Sequence, residues 1–131
     1  MAFSTKGIGK VAVLSESYTL PSSATTEYSS VLKADGVHLQ PDQNKANKYA
    51  TFTFNASAVS GTNLDIALYG SDTEAGTTKF LLKDAVVADI TATGTVAGTV
   101  DLNAYPAAYY FLAWTADANE SANTIAVKAF V

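Results

Sequence analysis

From Tyr49 onward, apolar and polar residues alternate with a period of two. Ala50, Phe52 and Phe54 fall on one side, with Tyr49, Thr51 and Thr53 on the other. Leu64, Ile66 and Leu68 alternate with Asp65, Ala67 and Tyr69, and Val96, Val100 and Leu102 with Thr95, Thr99 and Asp101. Ile125, Val127, Ala129 and Val131 alternate with Thr124, Ala126, Lys128 and Phe130. Each run predicts a strand with one face on a core. Gly61, Gly70, Gly76, Gly94 and the polar stretch 117–123 punctuate the runs. No window carries a sustained helical stripe; Ala85 to Asp89 is open to a short helix but reads better as strand. Short, closely spaced strands rich in β-branched residues predict an all-β fold, an antiparallel β-sandwich with jelly-roll or immunoglobulin-like connections.

The strand Tyr109-Tyr110-Phe111-Leu112-Ala113-Trp114 breaks the alternation. Tyr110, Leu112 and Trp114 share one face, and Tyr109, Phe111 and Ala113 the other. A strand with only one buried face should not be apolar on both. Either a loop or arm of the same chain covers the second face, or a partner does. The second option makes Tyr109 and Phe111 interface aromatics.

Upstream, the pattern changes. Val11, Val13 and Leu14 suggest a short strand, but residues 15–30 are polar, short of large aliphatics and interrupted by Pro21. They read as an extended or irregular segment. This divides the chain into an N-terminal arm, residues 1–30, and a single sandwich domain, residues 31–131. The stretch 40–48 lacks large apolar residues and reads as a surface loop.

Composition narrows the function classes. The 131 residues suit one domain, and a 48% hydrophobic content is enough for a core. The longest uninterrupted apolar stretch, Ala107 to Trp114, is far short of the roughly twenty residues of a membrane helix. The first residues show no charged-then-apolar run, so no signal peptide is expected. Cysteine is absent, which excludes disulfides, thiolate metal sites and cysteine nucleophiles. With one histidine, His38, a multi-histidine metal centre within one chain is excluded. All eight basic residues are lysines and the net charge is −4, which argues against nucleic acid as a partner.

The remaining motifs carry little chemistry. Gly7-Ile8-Gly9-Lys10-Val11-Ala12 fits a relaxed dinucleotide pattern, but no strand precedes it and no helix follows. His38 lies near a turn without a nucleophile elbow in the chain. The loops Ser71-Asp72-Thr73-Glu74 and 117–123 concentrate oxygen atoms, yet neither has the spacing of a calcium loop and both read as solvated turns. Asn55-Ala56-Ser57 and Asn119-Glu120-Ser121 match glycosylation sequons, without a secretory context to use them. Tyr105, Tyr109, Tyr110 and Trp114 offer a sugar-stacking platform only if exposed, and the shared parity of Trp114, Leu112 and Tyr110 favours core packing. No catalytic residue, cofactor site or metal site is expected. Lys6 and Lys10, in an N-terminal stretch without acids, are candidates for contact with an acidic surface.

Three stretches together carry a resemblance. Leu64 to Tyr69 is an alternating strand ending in Gly70-Ser71-Asp72. The strand Val96 to Leu102 leads through Tyr105-Pro106 into the aromatic strand. Thr124 to Val131 closes the chain. In this layout, Ala50 to Val131 resembles the small β-sandwich capsid cement (decoration) proteins of tailed bacteriophages. The resemblance implies a non-enzymatic virion protein, made in the host cytoplasm and placed on the outer capsid surface. It further implies the major capsid protein and copies of itself, as homotrimer or homodimer, as partners, with the arm bearing Lys6 and Lys10 used for attachment. Membrane and nucleic acid are not implied. Removal of residues 1–14 is then expected to abolish capsid binding without unfolding the sandwich. The alternative class is a carbohydrate-binding or adhesion module with an exposed Trp114.

Overall fold

A computed structural model of the chain describes residues 13–22, 25–41, 49–61, 63–87, 90 and 94–130. These residues are all-β, with no helix among them and so none that could cross a membrane. The strands are β1 (Val13–Thr19), β2 (Thr26–Tyr28), β3 (Lys33–Ala34), β4 (Val37–His38), β5 (Tyr49–Ala56), β6 (Leu64–Ser71), β7 (Lys79–Val87), β8 (Gly94–Asp101), β9 (Tyr109–Ala116) and β10 (Thr124–Phe130). Sheet A is four-stranded in the order β1-β10-β5-β8, and sheet B is four-stranded in the order β2-β9-β6-β7. All their pairings are antiparallel. A two-stranded ribbon, β3-β4, completes the fold. Its Asp35-Gly36 turn has φ of 51° and 77°, the positive values that a two-residue type I′ hairpin needs at both positions.

The two sheets bury a shared core, a sandwich-like arrangement. Sheet A supplies Leu14, Phe52, Phe54, Val100, Ile125 and Val127, and sheet B supplies Leu64, Ile66, Leu68, Tyr110, Leu112 and Trp114. The alternation read from the sequence is the observed one for β5, β6 and β10. Val131, the last position of that pattern, lies outside the described residues.

Val13–Thr19 and Thr26–Tyr28, expected within the N-terminal arm, are strands of the two sheets. Val13 to Thr19 pairs with β10 along its whole length, and Thr26 to Tyr28 pairs with β9. Both are edge strands, so each needs one neighbour and few apolar side chains, which is why the segment looks unstructured in sequence. Ser29 extends the β9 contact: its N–H donates to Leu112 O at 2.8 Å, and its Oγ accepts from Leu112 N–H at 2.9 Å. Leu20 and Leu32 anchor the connections in the core.

Where β7 and β8 meet at one side of the molecule, a Cβ on Gly98 would lie 2.5 Å from Val86 O and 2.8 Å from its Cγ1. The close approach requires a residue without a side chain, and the blocking atom is backbone. Gly98→Ala is therefore expected to lower stability by about 1–3 kcal/mol, read as a lower urea midpoint. An unchanged midpoint would show that the two strands separate freely.

Candidate functional site

Strand β9 is apolar on both faces, and its two faces have different fates. Tyr110, Leu112 and Trp114 point into the core. The Tyr18 and Trp114 rings lie 4.9 Å apart. The Tyr110 hydroxyl donates to Tyr105 O at 2.6 Å and accepts from Ala107 N–H at 3.1 Å. Burial raises its pKa, and the Ala107 bond offsets this only in part. Trp114 and Tyr110 therefore cannot form a sugar-stacking platform: parity, not exposure, was the correct guide to them.

The opposite face is covered by the chain itself. Phe111, expected as an interface aromatic, is only 3% exposed. Lys79, at the end of the β6–β7 turn, places Nζ 4.9 Å from the Phe111 ring centre and 4.6 Å from that of Tyr28, and donates to Gly76 O at 2.7 Å. Gly76 has φ of 65°, and a Cβ there would lie 2.6 Å from Phe111 Cζ, so the turn can close over the ring only with glycine. Tyr109 is half-buried, with the His38 ring edge-on at 5.1 Å. Of the two expected interface aromatics, Phe111 is covered by its own turn and Tyr109 keeps part of its surface.

His38 ties the β3-β4 ribbon to the same turn. Its Nε2 lies 3.0 Å from Glu74 Oε1, and Lys33 Nζ lies 3.6 Å from that oxygen. The hydrogen bond with His38, then its charge, holds the Glu74 carboxyl below its ordinary pKa, with a smaller contribution from Lys33. The group is exposed, so the pair contributes little to stability.

Both oxygen-rich loops serve the fold. Ser71 Oγ donates to Thr78 O at 2.8 Å and accepts from Thr73 N–H at 3.2 Å, closing the β6–β7 turn. In the loop before β10, Glu120 is fully buried. Its carboxylate accepts from Ser60 N–H at 2.8 Å, Gly61 N–H at 2.8 Å and Asn123 Nδ2 at 2.9 Å. It clasps the β5–β6 connection to the β9–β10 connection. Among the described residues no group of three or more histidine, cysteine or acidic side chains is placed to hold a metal ion.

The remaining candidates are surfaces. On sheet A, Val13 pairs directly with Phe130, whose other neighbour is Thr51 of β5. Tyr49, two residues before Thr51, lies on the same outer face. Val13, Phe130 and Tyr49 are 38%, 40% and 50% exposed, three apolar side chains at one end of the sheet. Residues 1–12, with Lys6 and Lys10, precede Val13 and lie outside the described residues. On sheet B, Tyr28 and Leu81 are exposed, and the rings of Tyr28 and Tyr69 meet edge to face at 5.3 Å. No protein-family model matches the chain, and no curated protein matches it.

Proposed function

We propose that this chain is a capsid cement protein of a tailed phage, a non-enzymatic structural component that binds the outside of the head and bridges shell subunits. The observation that carries the reading is the position of β1. It is an edge strand of sheet A, and its first residue sits in the exposed Val13–Phe130–Tyr49 patch. The lysine-bearing residues 1–12 thus join the fold at a sheet edge and beside an apolar surface. In this reading that segment and the patch lie across neighbouring shell subunits, with the major capsid protein and further copies of this chain, in a homotrimer or homodimer, as partners. Each contact is weak alone, and many copies around a closed shell act together.

The strand order supports the finer description of the fold as a jelly roll. Successive long strands pass between the sheets, except for the hairpin β6–β7, giving β1-β10-β5-β8 against β2-β9-β6-β7. That double winding recurs in viral capsid and lectin domains, and a fold alone does not fix function.

The test is the copy number of the protein relative to the main shell protein in particles purified from its source. A comparable number, or a simple fraction of it, is expected; absence from particles overturns the reading. The attachment role has its own test. Because Leu14 is buried in β1, the truncation must stop at residue 12 rather than 14. Loss of particle binding with an unchanged urea midpoint is expected, and full binding by the truncated protein excludes the N-terminal segment as the tether.

A further inference from the structure

The outer face of sheet B contains a groove that the capsid reading does not use. Three steps along β6, from Ile66 to Tyr69, are matched by six along β7, from Val87 to Leu81. The extra residues form a bulge, and Asp84 lies in it, forming one wall of a cavity of about 430 Å³. The floor is Ala67 and Ala113, which pair directly across β6 and β9, and Asp65 and Thr115 pair beside them. Tyr69 forms a second wall. Lys83, next to Asp84, points elsewhere, with Nζ 5.7 Å from the Tyr105 ring.

We propose that this groove binds a neutral pyranose sugar. Ala113 is buried at the base, and the half-buried Ala67 beside it gives the C–H face of a sugar ring a small apolar contact. Around it stand two carboxylates, a phenol and the Thr115 hydroxyl, which also bonds Thr26 Oγ1 at 2.9 Å. A carboxylate has about four acceptor positions, so it can serve a contact within the protein and a ligand at once. Tyr69 supplies an aromatic surface held in place by Tyr28. Burial, followed by Tyr28 and the Asp84 charge, raises the Tyr69 pKa. No basic side chain lines the groove among the described residues, so two carboxylates repel uronic and sialic acids and select neutral sugars. A lysine side chain from a partner protein would satisfy the carboxylates but make no use of the Tyr69 ring face or Ala67.

The inference does not rest on the capsid reading, since particle copy number and sugar binding are separate measurements and either can fail alone. The experiment is saturation-transfer NMR on the full chain with the methyl glycosides of glucose, galactose, mannose and glucuronic acid, and with Nα-acetyl-lysine amide. Transfer to at least one neutral glycoside, and none to the glucuronide, is expected. Tyr69→Ala and Asp84→Asn should each weaken binding about tenfold or more, while His38→Ala, outside the groove, should leave it unchanged. Asp84 is exposed on the bulge, so its variant tests the groove even if Tyr69→Ala fails to fold. Absence of transfer to every neutral glycoside, preference for the lysine probe, or undiminished binding by Asp84→Asn overturns the proposal.

Discussion

Replacing Trp114 with alanine is expected to remove about 3–5 kcal/mol of stability, a large share of the roughly 5–15 kcal/mol of a typical domain. Trp114 is the sole tryptophan and is 1% exposed. It sits in the middle of β9, paired with Glu27 of β2 on one side and Ile66 of β6 on the other, with Tyr18 of the opposite sheet against its ring. Truncation leaves a cavity bounded by both sheets, which an antiparallel framework cannot close without shifting registers. Trp114→Phe should cost much less. It keeps most of the volume and removes Nε1, a buried donor without a hydrogen-bond partner. Urea unfolding followed by far-ultraviolet circular dichroism suits all three proteins. A loss below about 1 kcal/mol for the alanine variant would show that Trp114 is not in the core. The wild-type protein should emit at short wavelength and resist iodide quenching, the opposite of an exposed stacking residue.

The parts of this fold that were legible in the sequence are those where burial is one-sided and complete. Phe52 and Phe54 alternate with Thr51 and Thr53, and Ile125 and Val127 with Ala126 and Lys128, because one face meets the core and the other meets water. β2 and the β3-β4 ribbon escaped, and only the start of β1 and the end of β7 were read as strand, for physical reasons. β1 and β2 lie at sheet edges, where backbone pairing to one neighbour holds the chain and side chains stay polar. β7 is also an edge strand, and its bulge interrupts the period, so Lys79 to Val87 shows no alternation at all. The second apolar face of β9 was visible, but its cover was not. Lys79 and Gly76 reach Phe111 only because the β6–β7 turn folds back over the sheet. The same limit applies to the groove: Asp65 and Tyr69 share a face by the period of two, but Asp84 joins them only through a register shift that periodicity does not record.

Glu120 is the clearest case of a residue whose role was hidden, and its replacement has the second largest expected effect. In sequence it is one more acid in a polar loop; in the structure it is a buried carboxylate holding two connections together. Burial is the strongest influence on its titration and by itself raises the pKa. The Ser60 and Gly61 N–H groups, with the Asn123 amide and the Ser60 side chain, together outweigh burial and bring the pKa below the ordinary value. A carboxyl whose folded pKa is depressed adds stability that is fully present above its unfolded value, near about 4.3, and is lost as pH falls through the folded value. Glu120→Gln preserves the volume but directs an NH₂ group at N–H donors, leaving at least one buried group unpaired. At neutral pH the variant should lose about 2–4 kcal/mol. The difference from wild type should narrow as the pH is lowered below the ordinary carboxylate range, because protonated Glu120 no longer holds the clasp as an anion. Urea midpoints measured from neutral to acid pH check both statements. A constant difference across that range would mean that volume or loop geometry, and not the carboxylate charge, is what Glu120 contributes.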